Sequence, residues 1–398
     1  MREGWAIKAL GEVCDVIGGG TPSKDNANFY TGDIPWATVR DMRSDVITQT
    51  EFKITKAAVA SSATNVIPCG NVVIATRVGL GKVCLLKQDT AINQDLRGII
   101  PKDCKILHVR YLFWWLKSIA DLIIAEGTGA TVQGVKLPFI KSLKIPLPHL
   151  PEQQRIVAIL DEAFSGIATV RANTERNLQN ARALFESYLH EVFSRRGEGW
   201  VEKNFGDLAT FRNGINFTKA SKGEPIKILG VKDFQSNFWM PQNELDTVTP
   251  DGIVPDTDTL NENDLVFVRS NGNPELIGRC VLVGKLSERT THSGFTIRAR
   301  LHSKDVSSRF ICHFLKSGNA RKEMIEGGSG INIKSLNQGT LSHLSVSFPS
   351  LNEQTVIADR LDCLKTETQH LASLYQRKLN ALDELKQSLL HQAFSGEL

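Results

Sequence analysis

The chain holds 398 residues, more than one hydrophobic core usually fills, so at least two domains are expected. With 41% hydrophobic and 23% charged residues it has ordinary globular composition, which excludes wholesale disorder and fibrous or low-complexity architecture. Its 47 basic and 43 acidic residues leave a net charge of +4, too weak on its own to indicate a nucleic-acid partner.

No apolar run reaches the length of a membrane span, since Leu112 to Leu116 is followed by Lys117 and the next run meets Asp121. The opening MREGWAIKALGEVCDV lacks the apolar stretch of a secretory signal, and a cytoplasmic location is expected. Seven scattered cysteines, Cys14, Cys69, Cys84, Cys104, Cys280, Cys312 and Cys363, contain no CxxC pair and read as reduced thiols.

In chain order, Trp5 and LGEVCDV at 10–16 open a mixed region. Its short β-rich runs, VVIAT at 72–76, VCLL at 83–86 and RGII at 97–100, are separated by Gly, Pro, Asn and Asp. A single helix is expected over about 108–125, stopped by Gly127-Thr128-Gly129. After the proline-bounded IPLPHLPEQQ the pattern changes. Apolar residues then recur at spacings of three and four, with Ile156, Leu160, Ile167, Leu178 and Phe185 among them. This is a long amphipathic helix.

The whole arrangement then repeats. Trp200 and FGDLATF at 205–211 answer Trp5 and LGEVCDV, FICHFLKS at 310–317 answers YLFWWLKS at 111–118, and PSLNEQTVIADRLD at 349–362 answers PHLPEQQRIVAILD at 148–161. The second helix carries Ile357, Leu361, Leu371, Leu382 and Leu389 at the same spacings. Two copies of roughly 200 residues are a duplicated domain rather than a solenoid. The boundaries expected are 1–151 and 198–352 for the globular segments, 152–197 and 353–398 for the helices. Residues 1–151 hold 18 basic and 13 acidic residues, and 200–352 hold 18 and 16, so the positive charge resides in the globular segments.

Each helix should be roughly 60 to 65 Å long, too long to bury its stripe on a small domain. Its simplest partner is the other helix, antiparallel about a pseudo-two-fold axis. The fold class expected is α/β: two duplicated mixed α/β domains joined by two long antiparallel coiled helices. Two basic domains on such a spacer would contact DNA segments about one helical turn apart, with the helices as a ruler. The divergence of the globular loops implies unlike half-sites.

The run PxLxEQ(Q)xI(V)AxxLD opening a long helix, present twice, each time after a basic α/β segment of about 150 residues, closely resembles the specificity subunit of type I restriction-modification systems. The resemblance covers the whole chain. It implies a non-catalytic reader with two target-recognition domains, which read a bipartite, asymmetric site on double-stranded DNA. It further implies that the helices recruit two adenine methyltransferase (modification) subunits, joined by two restriction (motor and nuclease) subunits. Cofactors would then belong to the partners: S-adenosylmethionine to the methyltransferase, ATP and Mg to the restriction subunit, none to this chain.

Candidate DNA contacts follow from residue type and position. Arg77 and Arg269 stand near corresponding strand ends, where arginine can pair with guanine and Asn271 or Asn273 with adenine; an arginine there can equally form a surface ion pair. GTGATVQGVK at 127–136 offers Thr128, Thr131, Gln133 and Lys136, and GGSGINIKSLNQ at 327–338 offers Ser329, Asn332 and Lys334, groups that suit phosphate. Thr21 and Lys24 in GGGTPSK go with Gln94 in NQDLR, and Asn216 and Lys219 in NGINFTK go with THSGF. Arg40 and Lys232 complete the set. As partner-binding or helix-pairing positions we take the apolar residues named above for the two helices.

Catalytic motifs are missing. The methyltransferase partner's Asn-Pro-Pro-aromatic run is represented only by Asn273-Pro274-Glu275, and VGLGK at 78–82 lacks P-loop spacing. Asp33, Glu51 and Lys53 have no counterpart in the second copy, and His190 and His391 lie on the long helices. The alternative to a DNA reader is a structural or regulatory coiled-helix scaffold without sequence readout.

Overall fold

The computed structural model describes residues 4–128, 134–195, 197–218, 220–326 and 335–398. Thr131, Gln133, Lys219, Ser329, Asn332 and Lys334 lie outside the described residues. The chain forms two compact units, Met1–Glu175 with Arg377–Leu398, and Arg176–Gln376. Each contains one globular segment, part of one long helix and part of the other.

In unit 1 the first strand, Ala6–Ala9, pairs antiparallel with Lys144–Leu147, the last strand before the long helix. The two ends of the globular segment are thereby stitched together. Between them lies a five-stranded sheet in the order Cys14–Gly18, Leu96–Pro101, Val72–Ala75, Val83–Leu86, Val46–Ile47. A four-stranded sheet has the order Phe52–Ile54, Ile34–Ala37, Thr90–Ile92, Asn65–Ile67.

Unit 2 repeats this plan with fewer edge strands. Val201–Asn204 pairs with Ser345–Phe348. The larger sheet runs Ala209–Asn213, Thr296–Leu301, Leu265–Val268, Cys280–Leu282, and the smaller one Asp246–Val248, Ile226–Leu229, Thr290–His292. The β-rich runs read from the sequence are the central strands of unit 1. Val72–Ala75 is buried along its whole length, as expected of a strand covered on both faces.

The helix expected over about 108–125 is two helices, Val109–Ser118 and Ala120–Ala125, because Ile119 leaves the helical region at φ −106°, ψ 15°. Its counterpart breaks likewise, into Ser308–Lys316 and Gly318–Glu326 around an extended Ser317. The first of each pair carries most of the buried residues, while the second buries Ile123 in unit 1 and Ala320 and Met324 in unit 2. Tyr111, Phe113, Trp115 and Leu116 are buried in unit 1, and Phe310, Ile311, Cys312 and Leu315 in unit 2.

The long helices run Leu150–Ser194 and Leu351–Ser395. Within unit 1 they are antiparallel: Arg155 donates to the carbonyl oxygen of Leu398 at 2.6 Å, Lys386 lies over the Phe164 ring at 5.3 Å, and Arg171 pairs with Asp383. The covered stripe of the first helix includes Gln153, Val157, Leu160, Phe164, Thr174, Leu178 and Ala181; that of the second includes Gln354, Ala358, Leu361, Thr368, Leu379, Leu390 and Ala393. Steps of three and four residues are the heptad rule of a helix pair. Of the pairing residues expected from sequence, Ile156, Leu160, Leu178 and Leu361 are buried and Ile167, Phe185, Ile357, Leu382 and Leu389 half-buried. Leu371 falls one place off the stripe beside Thr368 and is 39% exposed.

The EQ of the repeated motif has a structural explanation. Gln153 is fully buried; its Oε1 accepts from the backbone N–H of His108 at 2.9 Å, and its Nε2 donates to the carbonyl oxygens of Ile106 and Pro148 at 2.8 and 2.9 Å. Gln354 does the same with the N–H of Ser307 and the carbonyl oxygens of Asp305 and Pro349, each at 2.8 Å. One carboxamide thus joins the long helix to the start of the buried helix. Two turns on, Asp161 accepts from Arg110 and Trp114 at 2.7 and 2.9 Å; Asp362 forms an ion pair with Arg309 at 2.9 Å and accepts from His313 at 2.7 Å.

Replacing Gln153 with Leu leaves a buried N–H and two carbonyl oxygens without partners, at about 1–3 kcal/mol for each group. We expect a clear fall in the thermal unfolding midpoint for Gln153→Leu and a similar one for Gln354→Leu, measured by calorimetry. An exposed control, Glu162→Gln, should leave the midpoint unchanged.

Candidate nucleic-acid interface

The candidate residues lie on loops that leave the strand ends of each globular segment. The chain after Cys14–Gly18 crosses the end of Thr90–Ile92 so closely that a Cβ on Gly19 would lie 2.2 Å from the Asn93 carbonyl oxygen. Only glycine fits there. The crossing is sealed by the Gly20 N–H on the Ile92 carbonyl oxygen at 3.0 Å. Unit 2 repeats it: a Cβ on Gly214 would lie 2.2 Å from the carbonyl oxygens of both His292 and Ser293, and Ile215 donates to His292 at 2.9 Å.

The crossing brings GGGTPSK to NQDLR. Thr21 and Gln94 touch through their side-chain oxygens, the Thr21 hydroxyl donating. Together with Lys24 and Arg40 they line a cavity of about 1150 Å³, whose aromatic wall is Tyr30, Trp36 and Phe52. Trp36 is buried and donates from Nε1 to the Gly20 carbonyl oxygen at 3.1 Å, while Phe52 is 41% exposed. Sequence reasoning missed these aromatics, which meet because strand pairing sets Phe52 opposite Trp36 and Tyr30 packs edge-on against the same indole. Arg40 stands 3.9 Å from Glu51, both exposed, a contact of little energetic weight.

Arg77 follows Val72–Ala75 and lies 3.6 Å from Asp95. The guanidinium of Arg97 is pulled below its usual value, first by burial and then by Arg77. Val135 donates to the Thr76 carbonyl oxygen at 2.8 Å, and the backbones of Thr128 and Gly134 exchange two hydrogen bonds. Thr128 and exposed Lys136 are thereby held beside the Arg77 loop, so the two separate regions chosen from sequence adjoin in unit 1.

In unit 2 the register differs by one residue. Arg269 donates its N–H to Phe295 at 2.8 Å and accepts at its carbonyl from Leu336 at 2.9 Å, the backbone bonds that Thr76, not Arg77, makes with Asp95 and Val135. Arg269 is thus the counterpart of Thr76, and Phe295, 62% exposed, takes the place of Asp95. Asn271 accepts from the N–H of Asn273 at 2.8 Å and Asn273 from that of Glu275 at 3.0 Å, so both side-chain oxygens shape the loop. Lys232 pairs with Asp246 at 2.6 Å. Asn216 lies against Gly294, where a Cβ would meet its Oδ1 at 2.0 Å.

Among the described residues no three His, Cys, Asp or Glu side chains gather as a metal site, and no helix is long and apolar enough to cross a membrane. The two duplicated loop sets carry guanidinium forks, hydroxyls, amides and exposed rings.

Residues 2–178 and 197–377 each match the family described as the type I restriction modification DNA specificity domain. The chain belongs to this family. It is 35% identical over 194 residues to the specificity subunit of the type I restriction enzyme EcoR124I/EcoR124II of Escherichia coli, covering 47% of this chain and 48% of that one. To the MjaIX specificity subunit of Methanocaldococcus jannaschii it is 28% identical, covering 53% of each. The chain thus spans about half the length of these two relatives. With the StySPI specificity subunit of Salmonella potsdam the match is 24% identical and covers 100% of this chain and 90% of that one. Relatives of this kind are specificity subunits, not catalytic on their own. Among solved structures, one described as the basis of complex assembly and conformational transition of the type I R-M system matches with a TM-score of 0.77 at 17% identity, covering 100% and 99% of the two chains. The HsdS subunit from Thermoanaerobacter tengcongensis matches with a TM-score of 0.64 at 19% identity, covering 100% and 98%. Both establish a shared fold.

His292 closes the crossing in unit 2. It is fully buried, with Nδ1 at 2.9 Å from the Thr296 hydroxyl, and burial followed by the Arg298 charge pushes its pKa down to about 3. The unfolded chain takes up this proton near pH 6.5, the folded chain only near 3. The contribution to stability is complete above about pH 6.5 and is lost as pH falls towards 3. We expect His292→Gln to flatten the acid limb of stability against pH by up to about 1.4 kcal/mol per pH unit, measured by denaturant titration between those limits. An unchanged limb would show that His292 is not the group responsible.

Proposed function

We propose that this chain reads a bipartite, asymmetric site on double-stranded DNA and recruits adenine methyltransferase subunits to it. The observation that carries this reading is the duplicated loop set: in each unit a glycine crossing gathers hydroxyl, amide and cationic side chains at the strand ends. The names of the relatives agree with a specificity role. Segments 1–151 and 198–352 are the two readers, and the helical segments 152–197 and 353–398 are the recruiting elements. The partners are two methyltransferase subunits, with two restriction subunits joining them, in the cytoplasm. S-adenosylmethionine, ATP and Mg would be carried by those partners and not by this chain.

The asymmetry follows from the loops. Unit 1 has Thr76, Gln94 and Asp95 where unit 2 has Arg269, Gly294 and Phe295, and its own arginine, Arg77, stands one residue further on. A carboxylate accepts from cytosine and an arginine fork donates to guanine, whereas an exposed ring contacts a thymine methyl. Unlike side chains at matching places read unlike bases. A scaffold without readout has no use for these differences.

Phosphate contacts fix register and base contacts give specificity. Arg77→Ala should therefore cost about 1–3 kcal/mol on the matched duplex only and relax one base position. Lys136→Ala should weaken all duplexes alike and lower the salt slope by about one. Both are measured by titrating the chain with its methyltransferase partner against matched and mismatched duplexes. If Arg77→Ala leaves discrimination unchanged, that arginine serves only its ion pair with Asp95.

A further inference from the structure

Within unit 2, residues 181–189 of the first long helix and 365–372 of the second meet the edge of the larger sheet around a cavity of about 440 Å³. Five cations line it, Arg182, Arg279, Lys316, Arg321 and Lys365, against a single carboxylate, Glu186. Arg182 is exposed and the other four are half-buried.

The hydrogen bonds of these cations go to neutral groups. Arg279 donates to the carbonyl oxygens of Gln235 and Glu275 at 2.6 and 3.2 Å, and Arg321 also donates to that of Glu275. Lys316 donates to the carbonyl oxygens of Asn237 and Cys280 at 2.8 and 2.7 Å, and Lys365 stands 4.9 Å above the Phe238 ring. Gln235 holds its carbonyl towards Arg279 from a left-handed backbone, φ 34°, a conformation uncommon outside glycine. Among the described residues none of the five cations is in an ion pair. In the same unit Arg212, Arg289, Arg300 and Arg309 each hold an aspartate. The unit 1 counterpart of Lys316 is Lys117, and it is neutralised by Asp45.

Like charges gathered out of bulk water repel one another unless an anion joins them. Burial, and then Lys316, already hold the Lys365 ammonium below its usual value. The cavity shares its loops with the candidate interface: Arg279 ends the loop that begins at Arg269 and carries Asn271 and Asn273, while Gln235 and Ser236 follow the turn that carries Lys232. We propose that this cavity seats backbone phosphate of the duplex beside the half-site read by unit 2. The proposal rests on the reading of the chain as a DNA-binding subunit. Guanidinium forks match phosphate oxygens, and five cations call for the closely spaced anions of a nucleic-acid backbone rather than for one carboxylate.

The test uses the full chain, a duplex of mixed sequence several turns long, and a range of salt concentrations. Arg182→Gln changes an exposed helix position and is the variant least able to disturb folding; Arg182→Gln with Lys365→Gln removes a second cation. The slope of log K against log salt should fall by about one and about two respectively, with affinity reduced by the same factor on every sequence. If the unaltered chain binds duplex and both variants keep its slope, the phosphate seat is wrong and the DNA-reading function stands. If the variants keep DNA binding but lose the methyltransferase subunit, the cavity holds a protein carboxylate, which also overturns the proposal. Failure of the unaltered chain to bind any duplex would overturn the reading on which it rests.

Discussion

A buried carboxamide on each long helix is the contact through which the rest of the molecule is referenced. Gln153 and Gln354 each satisfy one N–H and two carbonyl oxygens at the point where the globular segment ends, the buried helix starts and the long helix begins. Asp161 and Asp362 repeat the attachment two turns later with an arginine and a ring N–H. A side chain buried with its hydrogen bonds complete is costly to disengage. Each globular segment is therefore fixed to its own helix, and the loops at its strand ends keep a defined position relative to that helix within the unit.

The two units use this frame differently. In unit 1 the loops at the strand ends surround an aromatic-walled cavity, and Arg77, Asp95 and Arg97 share charge with one another. In unit 2 an exposed phenylalanine replaces the aspartate, Lys232 is held by Asp246, and the same loops carry Arg279 to a cavity whose other four cations stand on helices. Backbone geometry is retained between the copies while side chains change, as expected where strand ends and glycine crossings set position and loop side chains set recognition.

Much of the frame was legible in the sequence because it is periodic and repeated. Spacings of three and four located both long helices, and the repeat revealed the duplication. The glycine loops and their partners at 93–97 and 291–295 could be matched because a crossing that admits only glycine leaves the same trace in both copies. What could not be read was anything fixed by distant contact. Ile119 and Ser317 break helices without a proline. Leu371 carries an apolar side chain one place off the covered stripe, since hydrophobicity alone does not set the register. The offset of Arg269 from Arg77 by one residue emerges only from the bonds to Phe295 and Leu336, and Tyr30, Trp36 and Phe52 meet only after the smaller sheet forms. The function of Gln153 and Gln354 was within reach, because an identical amide in two diverged copies indicates a shared bond rather than a solvated surface.

The central claim is that each globular segment reads its own half of the site. It is tested most directly by building a chain in which residues 1–149 also replace residues 200–350, so that both readers are copies of the first. Expressed with its methyltransferase partner in a host otherwise free of such methylation, this chain should methylate a site whose two halves are inverted copies of one half-site of the original motif. Retention of the original asymmetric motif would contradict the account, because recognition of the second half would then reside outside the segment that was exchanged.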